Sequence, residues 1–281
     1  MCTLALLGCG AEVDDNLVDA AADITDGSGS SPDASGACGD GVCGADEDWY
    51  GCNADCAGSC EGCRFAASYD APDPCTLWSG CQRQATSRIT GSEATVREGS
   101  HAGRFEVRPG DLVNSGNRAE VVHCLAGGGC VGEAAGTERW YGWSTLWPTD
   151  FDSAPTWQLF TQWHHVGNTG SPPLEFYVNG QTMYLRTSDA AGTGHVVVWT
   201  APLETGRWRN FLFGVRFAND TSGWVELWLD GEQVLPRTAA RTMIDAGNIF
   251  KQGLYRNATI DRVQVLFHDN MRKGSSREQV D

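Results

Sequence analysis

From about residue 85 onward, apolar and polar residues alternate with a period of two along several short stretches. Three of these stretches are residues 104–108, 174–178 and 224–229. Alternation that includes aromatic and β-branched residues is typical of strands with one buried face. About ten or eleven stretches carry this pattern, and no amphipathic helix longer than three turns is predicted. The pattern favours an all-β fold.

Two dipeptides between strands mark hairpin turns. Asn179-Gly180 and Asp230-Gly231 tolerate positive φ at both corners of a two-residue turn. Strands joined by such turns predict a two-sheet antiparallel sandwich or jelly roll. The 11 tryptophans and 35 glycines among 281 residues suit a sheet-rich, carbohydrate-facing protein better than a helical bundle.

The formal net charge of −16 is unevenly distributed. Residues 1–63 hold 13 Asp or Glu and no Lys or Arg, so the remaining residues carry only −3. The overall acidity therefore does not predict a basic partner, and nucleic acid is not expected as a ligand. A nearly neutral domain can still hold a local basic groove for an anionic polymer.

The 12 cysteines are also clustered. Six of them lie within residues 38–63, and two close pairs follow: Cys75 with Cys81, and Cys124 with Cys130. This density favours disulfides formed in an oxidising compartment. A zinc cluster at Cys56, Cys60 and Cys63 is the alternative. The spacing does not determine the connectivity.

The N-terminal segment predicts export. Leu6-Leu7-Gly8-Cys9 resembles a bacterial lipobox, although the apolar region is short and no basic segment precedes it. No stretch reaches the roughly 20 apolar residues of a membrane-spanning helix. We therefore expect a secreted protein or a lipoprotein at the bacterial cell surface or outer membrane. Its only expected membrane contact is the lipid anchor.

The composition divides the chain into three parts. Residues 1–37 comprise the signal-like segment and an acidic Gly/Ser-rich linker, which is expected to be disordered. Residues 38–84 comprise a small disulfide-rich module and a connector, and residues 85–281 form the jelly-roll domain. The module resembles CGDG-type Cys-rich modules of exported bacterial proteins. We expect the module to be a spacer or a stalk, and a calcium site formed by Asp40, Asp46 and Asp48 is the alternative.

Three clusters place polar side chains two positions apart, which puts them on one face of a strand. They contain Arg118 with Glu120, Gln162 with His164, and Lys251 with Gly253 and Tyr255. A fourth cluster, residues 139–144, is aromatic. On the second of these strands, Trp163 and His165 face the opposite side.

These side chains match the needs of a uronate lyase. Such an enzyme neutralises the sugar carboxylate with Arg, Lys or Gln, which makes the C5 proton more acidic. A His or Tyr then removes that proton, and a Tyr can protonate the departing glycosidic oxygen. Arg118, Gln162, His164, Lys251 and Tyr255 supply all these parts.

A family resemblance appears in the order of the motifs. The chain resembles the heparin lyase I and glucuronan lyase group of polysaccharide lyases over residues 90–268. The stretches that carry the resemblance are 101–111, 117–120, 139–144, 162–164, 172–174, 225–231 and 251–256. The resemblance implies a concanavalin-like β-jelly roll that cleaves an acidic, uronate-containing polysaccharide by β-elimination.

The resemblance also implies roles for individual residues. His164 is expected to act as the general base, and Tyr255 as the acid or as both acid and base. Lys251 and Arg118 are expected to bind the uronate carboxylate or a neighbouring acidic group, and Gln162 is expected to help orient that carboxylate. Further substrate contacts are expected from Glu120, Trp163, Tyr141, Arg256 and His101. His165 and Gln252 depart from the family pattern, which affects the expected substrate more than the chemistry.

Each residue also has an ordinary structural explanation. Arg118 and Glu120 can form a cross-strand ion pair, and His164 can be a core histidine. Tyr255 can be a plain strand aromatic, and Lys251 can protect a sheet edge. Trp140, Trp143, Trp163 and Trp228 are expected to divide between the core and a sugar-stacking groove.

Two other functions stay open. A jelly-roll glycoside hydrolase would need two carboxylates, for which Glu226, Asp230 and Glu232 are candidates. A lectin-like module would need stacking aromatics but no base. We expect a monomer that cuts within the polymer and requires no cofactor for its chemistry. A structural Ca²⁺ at Asp261, in a strand predicted at residues 260–263, is the one expected metal.

Overall fold

The computed structural model describes residues 65–67, 69–114, 116–124, 132–166, 170–244 and 247–281. These residues form sixteen strands: β1 (Phe65–Ala67), β2 (Gly80–Arg83), β3 (Ile89–Ser92), β4 (Ala102–Val107), β5 (Leu112–Val113), β6 (Gly116–His123), β7 (Glu138–Leu146), β8 (Gln158–His165), β9 (Leu174–Asn179), β10 (Thr182–Ser188), β11 (His195–Pro202), β12 (Trp208–Arg216), β13 (Trp224–Leu229), β14 (Glu232–Ala239), β15 (Asn248–Arg256) and β16 (Gln264–Gly274). The described helices are three 3₁₀ turns, at Pro74–Leu77, Thr86–Arg88 and Arg277–Gln279.

The strands form two antiparallel sheets of eight. Sheet 1 has the order β14-β13-β12-β7-β16-β4-β3, with β1 added beside β16. Sheet 2 has the order β11-β10-β9-β8-β15-β6-β2, with β5 added beside β6. Neighbours in both sheets are often distant in the chain, as in a jelly roll. The predicted two-sheet sandwich is confirmed, with more strands than the sequence pattern indicated.

One of the two predicted hairpin turns lies at the predicted residues, and the other is shifted along the chain. Asp230 and Gly231 both have positive φ, 51° and 83°, and occupy the two corners between β13 and β14. Asn179 instead pairs with Thr182 as the last residue of β9, so Gly180 takes the first corner with φ 58°. The second turn therefore lies one residue later than the sequence predicted.

Aromatic side chains fill the space between the sheets. Trp143 of sheet 1 stacks on Phe211 with ring centres 5.0 Å apart, and Trp163 of sheet 2 packs 4.9 Å from Phe213. Trp143 and Trp163 are 2% and 0% exposed. Burial of such rings is the main stabilising contribution of a sandwich core.

A second, smaller cluster covers the other face of sheet 1. Trp140 lies between Trp224 and Trp228, with ring centres 6.3 and 5.7 Å away. The four tryptophans that were expected to divide between core and groove therefore divide between the inter-sheet core and this outer cluster.

Part of the predicted connector belongs to the sandwich. β1 pairs with β16, and β2 pairs with β6. Cys75 and Cys81, at the start of this region, form a disulfide. The predictions for the lipobox, the linker and the six-cysteine module concern residues outside the described ranges.

The segment around Asp261 is not a strand. Ile260 and Asp261 precede β16, which begins at Gln264, so the prediction of a strand at residues 260–263 was wrong. Within the described ranges, no helix is long and apolar enough to cross a membrane.

Candidate active site

The candidate site lies on the face of sheet 2 that points away from sheet 1. Residues that are directly opposite on antiparallel strands present their side chains on one face. Two rows of such residues cross the sheet at right angles to the strands. They bring together side chains from β6, β15, β8, β9 and β10.

The first row, which we call the tyrosine row, is set by strand register. Tyr255 is opposite both Arg118 and Leu159, Leu159 is opposite Tyr177, and Tyr177 is opposite Tyr184. Register shifts near Phe160 and Gly253 accompany this alignment. Gly253 has φ 145°, a backbone conformation that favours glycine.

The second row, the polar row, lies beside the first. Lys251 is opposite Gln162, Gln162 is opposite Glu175, and Glu175 is opposite Arg186. All but Arg186 are at most 1% exposed. Burial of three polar side chains on a sheet face is costly unless they bind one another or a ligand.

Arg118 joins the two rows. Its guanidinium lies 3.8 Å from the centre of the Tyr255 ring, within the range of a cation–π contact. Its Nη1 donates to Glu120 Oε2 at 3.2 Å and to Gln82 Oε1 at 3.1 Å. Trp157 packs edge-on against the Tyr255 ring at 4.9 Å. These contacts fix Tyr255 beside a cation.

The amides of Gln162 and Gln82 connect the polar row to Arg118. Gln162 Nε2 donates to Glu120 Oε1, and Lys251 Nζ donates to Gln82 Oε1 at 3.4 Å. Burial lowers the pKa of Lys251, while the charge of Glu120 opposes that shift and the charge of Arg118 adds to it. Two cations therefore share one buried carboxylate, which leaves positive charge for an anionic ligand.

His164 is held as a neutral imidazole. Its Nδ1 is 2.9 Å from the carbonyl of His165 and its Nε2 is 3.3 Å from the carbonyl of Gly170. We assign the single proton of the neutral ring to Nδ1, which makes the shorter of the two contacts. Burial lowers the pKa of His164 to about 4, and the charge of Lys251 contributes to the shift. In this tautomer Nε2 keeps its lone pair at neutral pH. The carbonyl of Gly170, 3.3 Å from Nε2, can accept a hydrogen bond once Nε2 gains a proton.

A cleft of about 200 Å³ lies on this face of the sheet. Its lining includes Arg118, His164 and Tyr255 together with Glu175 and Arg186. The expected base and the expected acid therefore share one face and one cleft. A placement of these two side chains on opposite faces of the sheet would have contradicted a lyase, and the structure does not show it.

Two of the expected substrate contacts lie in the core instead. Trp163 and Tyr141 are both 0% exposed and pack against each other between the sheets, with ring centres 5.0 Å apart. The alternation of β8 that places His164 in the cleft turns Trp163 inward. These two residues contribute to stability rather than to substrate contact.

Two further expected substrate contacts are also corrected. Arg256 is 0% exposed and donates to Gln264 Oε1 of sheet 1 at 2.9 Å, so it faces the core. His101 precedes β4 of sheet 1, and its Nε2 lies 3.3 Å from Glu93 Oε1. Glu120, the fifth expected contact, does face the cleft side, where it binds Arg118 and Gln162.

Among the described residues, no set of metal ligands surrounds Asp261, the predicted calcium ligand. Asp261 is exposed, and nowhere in the part of the chain that the structure describes do three or more His, Cys, Asp or Glu side chains gather in a way that could hold a metal ion. A calcium ion at Asp261 therefore stays a prediction.

The sequence analysis missed Trp157, Glu175, Arg186 and Tyr177, which lie in or beside the cleft. The hairpin around Gly180 was the available signal, because its turn fixes which residues of β9 and β10 are opposite. Placing the turn one residue early hides the pairing of Glu175 with Arg186 and of Tyr177 with Tyr184.

A family model identifies the chain. The model described as "Polysaccharide lyase" matches residues 74–272, which include both rows and the cleft. The chain belongs to this polysaccharide lyase family. The lyase is thus an enzyme with the concanavalin-like architecture that the motifs indicated. A search of curated proteins finds no significant match.

Solved structures share the fold of the lyase. An endo-β-1,4-glucuronan lyase from the fungus Trichoderma reesei is 17% identical and has a TM-score of 0.56, with 79% of this chain and 94% of that chain covered. A marine alginate lyase from Aplysia kurodai is 9% identical with a TM-score of 0.54, covering 76% and 99%. A family 131 glycoside hydrolase domain from Coprinopsis cinerea is 13% identical with a TM-score of 0.52, covering 75% and 92%. At these identities the likeness concerns the fold alone.

The carboxylates considered for a hydrolase lie elsewhere. Glu226 and Glu232 are on β13 and β14 of sheet 1, and Asp230 is in the turn between them. Glu226 accepts from Arg237 at 2.7 Å, and Asp230 accepts from Arg209 at 2.8 Å. None of the three lines the cleft of sheet 2.

Proposed function

We propose that the lyase cleaves a uronic-acid-containing polysaccharide within the chain by β-elimination. The observation that carries the proposal is the contact of Arg118 with the Tyr255 ring in a cleft that also holds a neutral His164. A cation for the carboxylate, a base and a phenolic acid are what this elimination needs.

The proposed reaction moves one proton off the sugar and one onto the leaving group. His164 Nε2 takes the proton from C5, and the electron pair of that C–H bond forms a C4=C5 double bond as the C4–O bond breaks. Tyr255 gives its phenolic proton to the departing oxygen. The imidazolium and the phenolate then exchange protons with solvent, so no water is consumed in cleavage.

The carboxylate of the reacting sugar is proposed to bind between Arg118, Lys251 and Gln162. Charge-assisted hydrogen bonds to this group grow stronger as negative charge develops on it during proton removal. Glu120 holds Arg118 and Gln162 in place, so these donors need little rearrangement when the transition state forms.

Cleavage within the polymer is supported by the length of the tyrosine row. It crosses five strands, which corresponds to about 19 Å between the outermost strand axes. A sugar chain lying along this row would continue past the reacting residue. Export is proposed as well, since the Cys75–Cys81 disulfide suits an oxidising compartment. A lipid anchor and a monomeric state are proposed as well.

The test follows the ultraviolet absorbance of the new C4=C5 double bond while the full chain is incubated with a panel of uronate polysaccharides. We expect a rise on at least one polymer, and its loss in His164→Ala and Tyr255→Phe. Release of reducing ends without the absorbance would instead indicate hydrolysis. Binding without either signal would indicate a lectin-like module.

A further inference from the structure

A second set of the same three residue types lies in or beside the cleft. Arg186 lies over the Tyr177 ring, 5.0 Å from its centre, and forms an ion pair with Glu175. This repeats the arrangement in which Arg118 lies over Tyr255 and binds Glu120. Nothing in the elimination chemistry uses the second set.

The two sets occupy neighbouring positions along the cleft. Tyr255 and Tyr177 are both opposite Leu159, one on each side. Neighbouring strands are about 4.8 Å apart, so the two tyrosines are about 10 Å apart at the backbone. The long arginine side chains extend from the outer strands β6 and β10. A sugar chain along the tyrosine row would therefore meet Arg118 first and Arg186 next.

Arg186 is oriented to bind a ligand. Its side chain is 25% exposed, whereas that of Glu175 is 0% exposed. Glu175 is close to its Nε, and Arg186 lines the cleft. A guanidinium uses two parallel N–H groups to bind a carboxylate. Its outer edge is thus available for one.

A stack of rings fixes this guanidinium. Tyr177 lies on Tyr184 with ring centres 4.8 Å apart and planes inclined by 9°, and Arg186 covers Tyr177. An arginine that is already held in its binding geometry loses little conformational freedom when the ligand arrives. This is the arrangement expected of a recognition site.

We propose that Arg186, held by Glu175 and Tyr177, binds the carboxylate of the uronate next to the one that is cleaved. This inference rests on the proposed function, because it assigns a second position on the same substrate. It follows that the lyase prefers two consecutive uronates at these positions. Polymers in which a neutral sugar occupies the second position would be poorer substrates.

The experiment compares two oligosaccharides that differ only at that neighbouring sugar. One carries consecutive uronates, and in the other the neighbouring uronate is reduced to the neutral hexose. We expect the wild-type protein to favour the first in kcat/KM by about 10- to 100-fold, the range expected for one charged hydrogen-bonding contact.

The variant for this test is Glu175→Gln/Arg186→Gln. Removing both charges avoids leaving a buried carboxylate without its cation, which would destabilise the fold. In the double variant we expect the preference to fall to near one, because kcat/KM for the consecutive uronates falls toward the value for the reduced oligosaccharide. A general structural defect would lower both rates and keep their ratio.

Sheet 1 offers a matched control. Arg237 donates to Glu226 at 2.7 Å and lies over Trp224 at 3.8 Å, away from the cleft. Glu226→Gln/Arg237→Gln should leave the preference unchanged.

The experiment distinguishes a wrong role for Arg186 from a wrong proposed function. If the wild-type protein cleaves both oligosaccharides but the double variant keeps the full preference, the role of Arg186 is refuted and the proposed function stands. If the wild-type protein cleaves neither, the proposed function fails. In that case calorimetric affinities for the two uncleaved oligosaccharides decide the role of Arg186, and equal affinities would refute it.

Discussion

The guanidinium carbon of Arg118 lies over the ring of Tyr255, 3.8 Å from the ring centre. The two residues occupy directly opposite positions of β6 and β15. The contact places a fixed positive charge next to the phenol that is proposed to protonate the leaving oxygen. It also couples two steps of the chemistry, since the same guanidinium is proposed to bind the carboxylate.

Arg118→Lys should lower kcat/KM by about 10- to 100-fold, because lysine keeps the charge but loses the planar fork and the stack on Tyr255. Steady-state kinetics on the responding polymer measure the effect. Arg237→Lys, which alters a similar stack over Trp224 on sheet 1, should be nearly silent. Activity close to wild type in Arg118→Lys would contradict the proposed role.

The acid limb of activity should lie near pH 4 rather than near the usual histidine value of about 6.5. The base must be unprotonated, and the pKa of His164 is lowered to about 4, so kcat/KM should fall as the pH drops through that value. A pH profile of kcat/KM, with recovery checked after return to neutral pH, measures this.

Lys251→Gln should move the acid limb of the pH profile of kcat/KM to higher pH. The ammonium of Lys251 disfavours a charged His164, so its removal should raise the pKa of the imidazole. An unmoved limb in this variant would indicate that a group other than His164 sets the profile.

Gly116→Ala should reduce activity by displacing Tyr255, and not by a direct contact of the added methyl group with the substrate. A Cβ at this position would lie 2.3 Å from Cε2 of Tyr255, so the ring would have to move. A displacement of about 1 Å in an acid can cost about 100-fold in rate. The matched control is Gly80→Ala in β2 of the same sheet, where an added Cβ meets nothing within 4 Å. Equal kcat values for both variants would refute the prediction.

Trp157→Ala and Trp163→Ala should separate substrate contact from stability. Trp157 is half-buried beside Tyr255, so its loss should raise KM and change unfolding little. Trp163 is fully buried, so its loss should cost about 3–5 kcal/mol of unfolding free energy. Urea unfolding and KM measured for both variants test the separation. A large loss of unfolding free energy in Trp157→Ala, together with a raised KM and little loss of stability in Trp163→Ala, would contradict the prediction.

The unfolding free energy should depend on pH through His268, a fully buried residue between the sheets. Burial lowers its pKa to about 3. Above the unfolded-state pKa of about 6.5, the stabilisation of the folded state by the buried neutral imidazole is fully present. This stabilisation is lost as the pH falls toward 3. His268→Gln should flatten the dependence by up to about 1.4 kcal/mol per pH unit within that window. Urea titrations at several pH values measure the difference, and parallel curves would contradict it.

Local chain geometry allowed the sequence to predict a large part of the fold. In a strand, successive side chains point to opposite faces, so the separation of His164 and Gln162 from Trp163 on β8 followed from alternation alone. The Asp230-Gly231 turn followed from the tolerance of these residues for positive φ. The candidate base, acid and carboxylate ligands came from motif order, and their chemical roles stay predictions.

Only the tertiary structure decided which of the two faces of each strand another sheet would cover. Trp163, Tyr141 and Arg256 were expected at the substrate and lie in the core, and His101 was expected there and lies beside sheet 1. The one-residue shift at Gly180 decided that Arg186 is opposite Glu175. Alternation specifies two faces but not their surroundings, because register between strands far apart in sequence is set by packing across the whole sandwich.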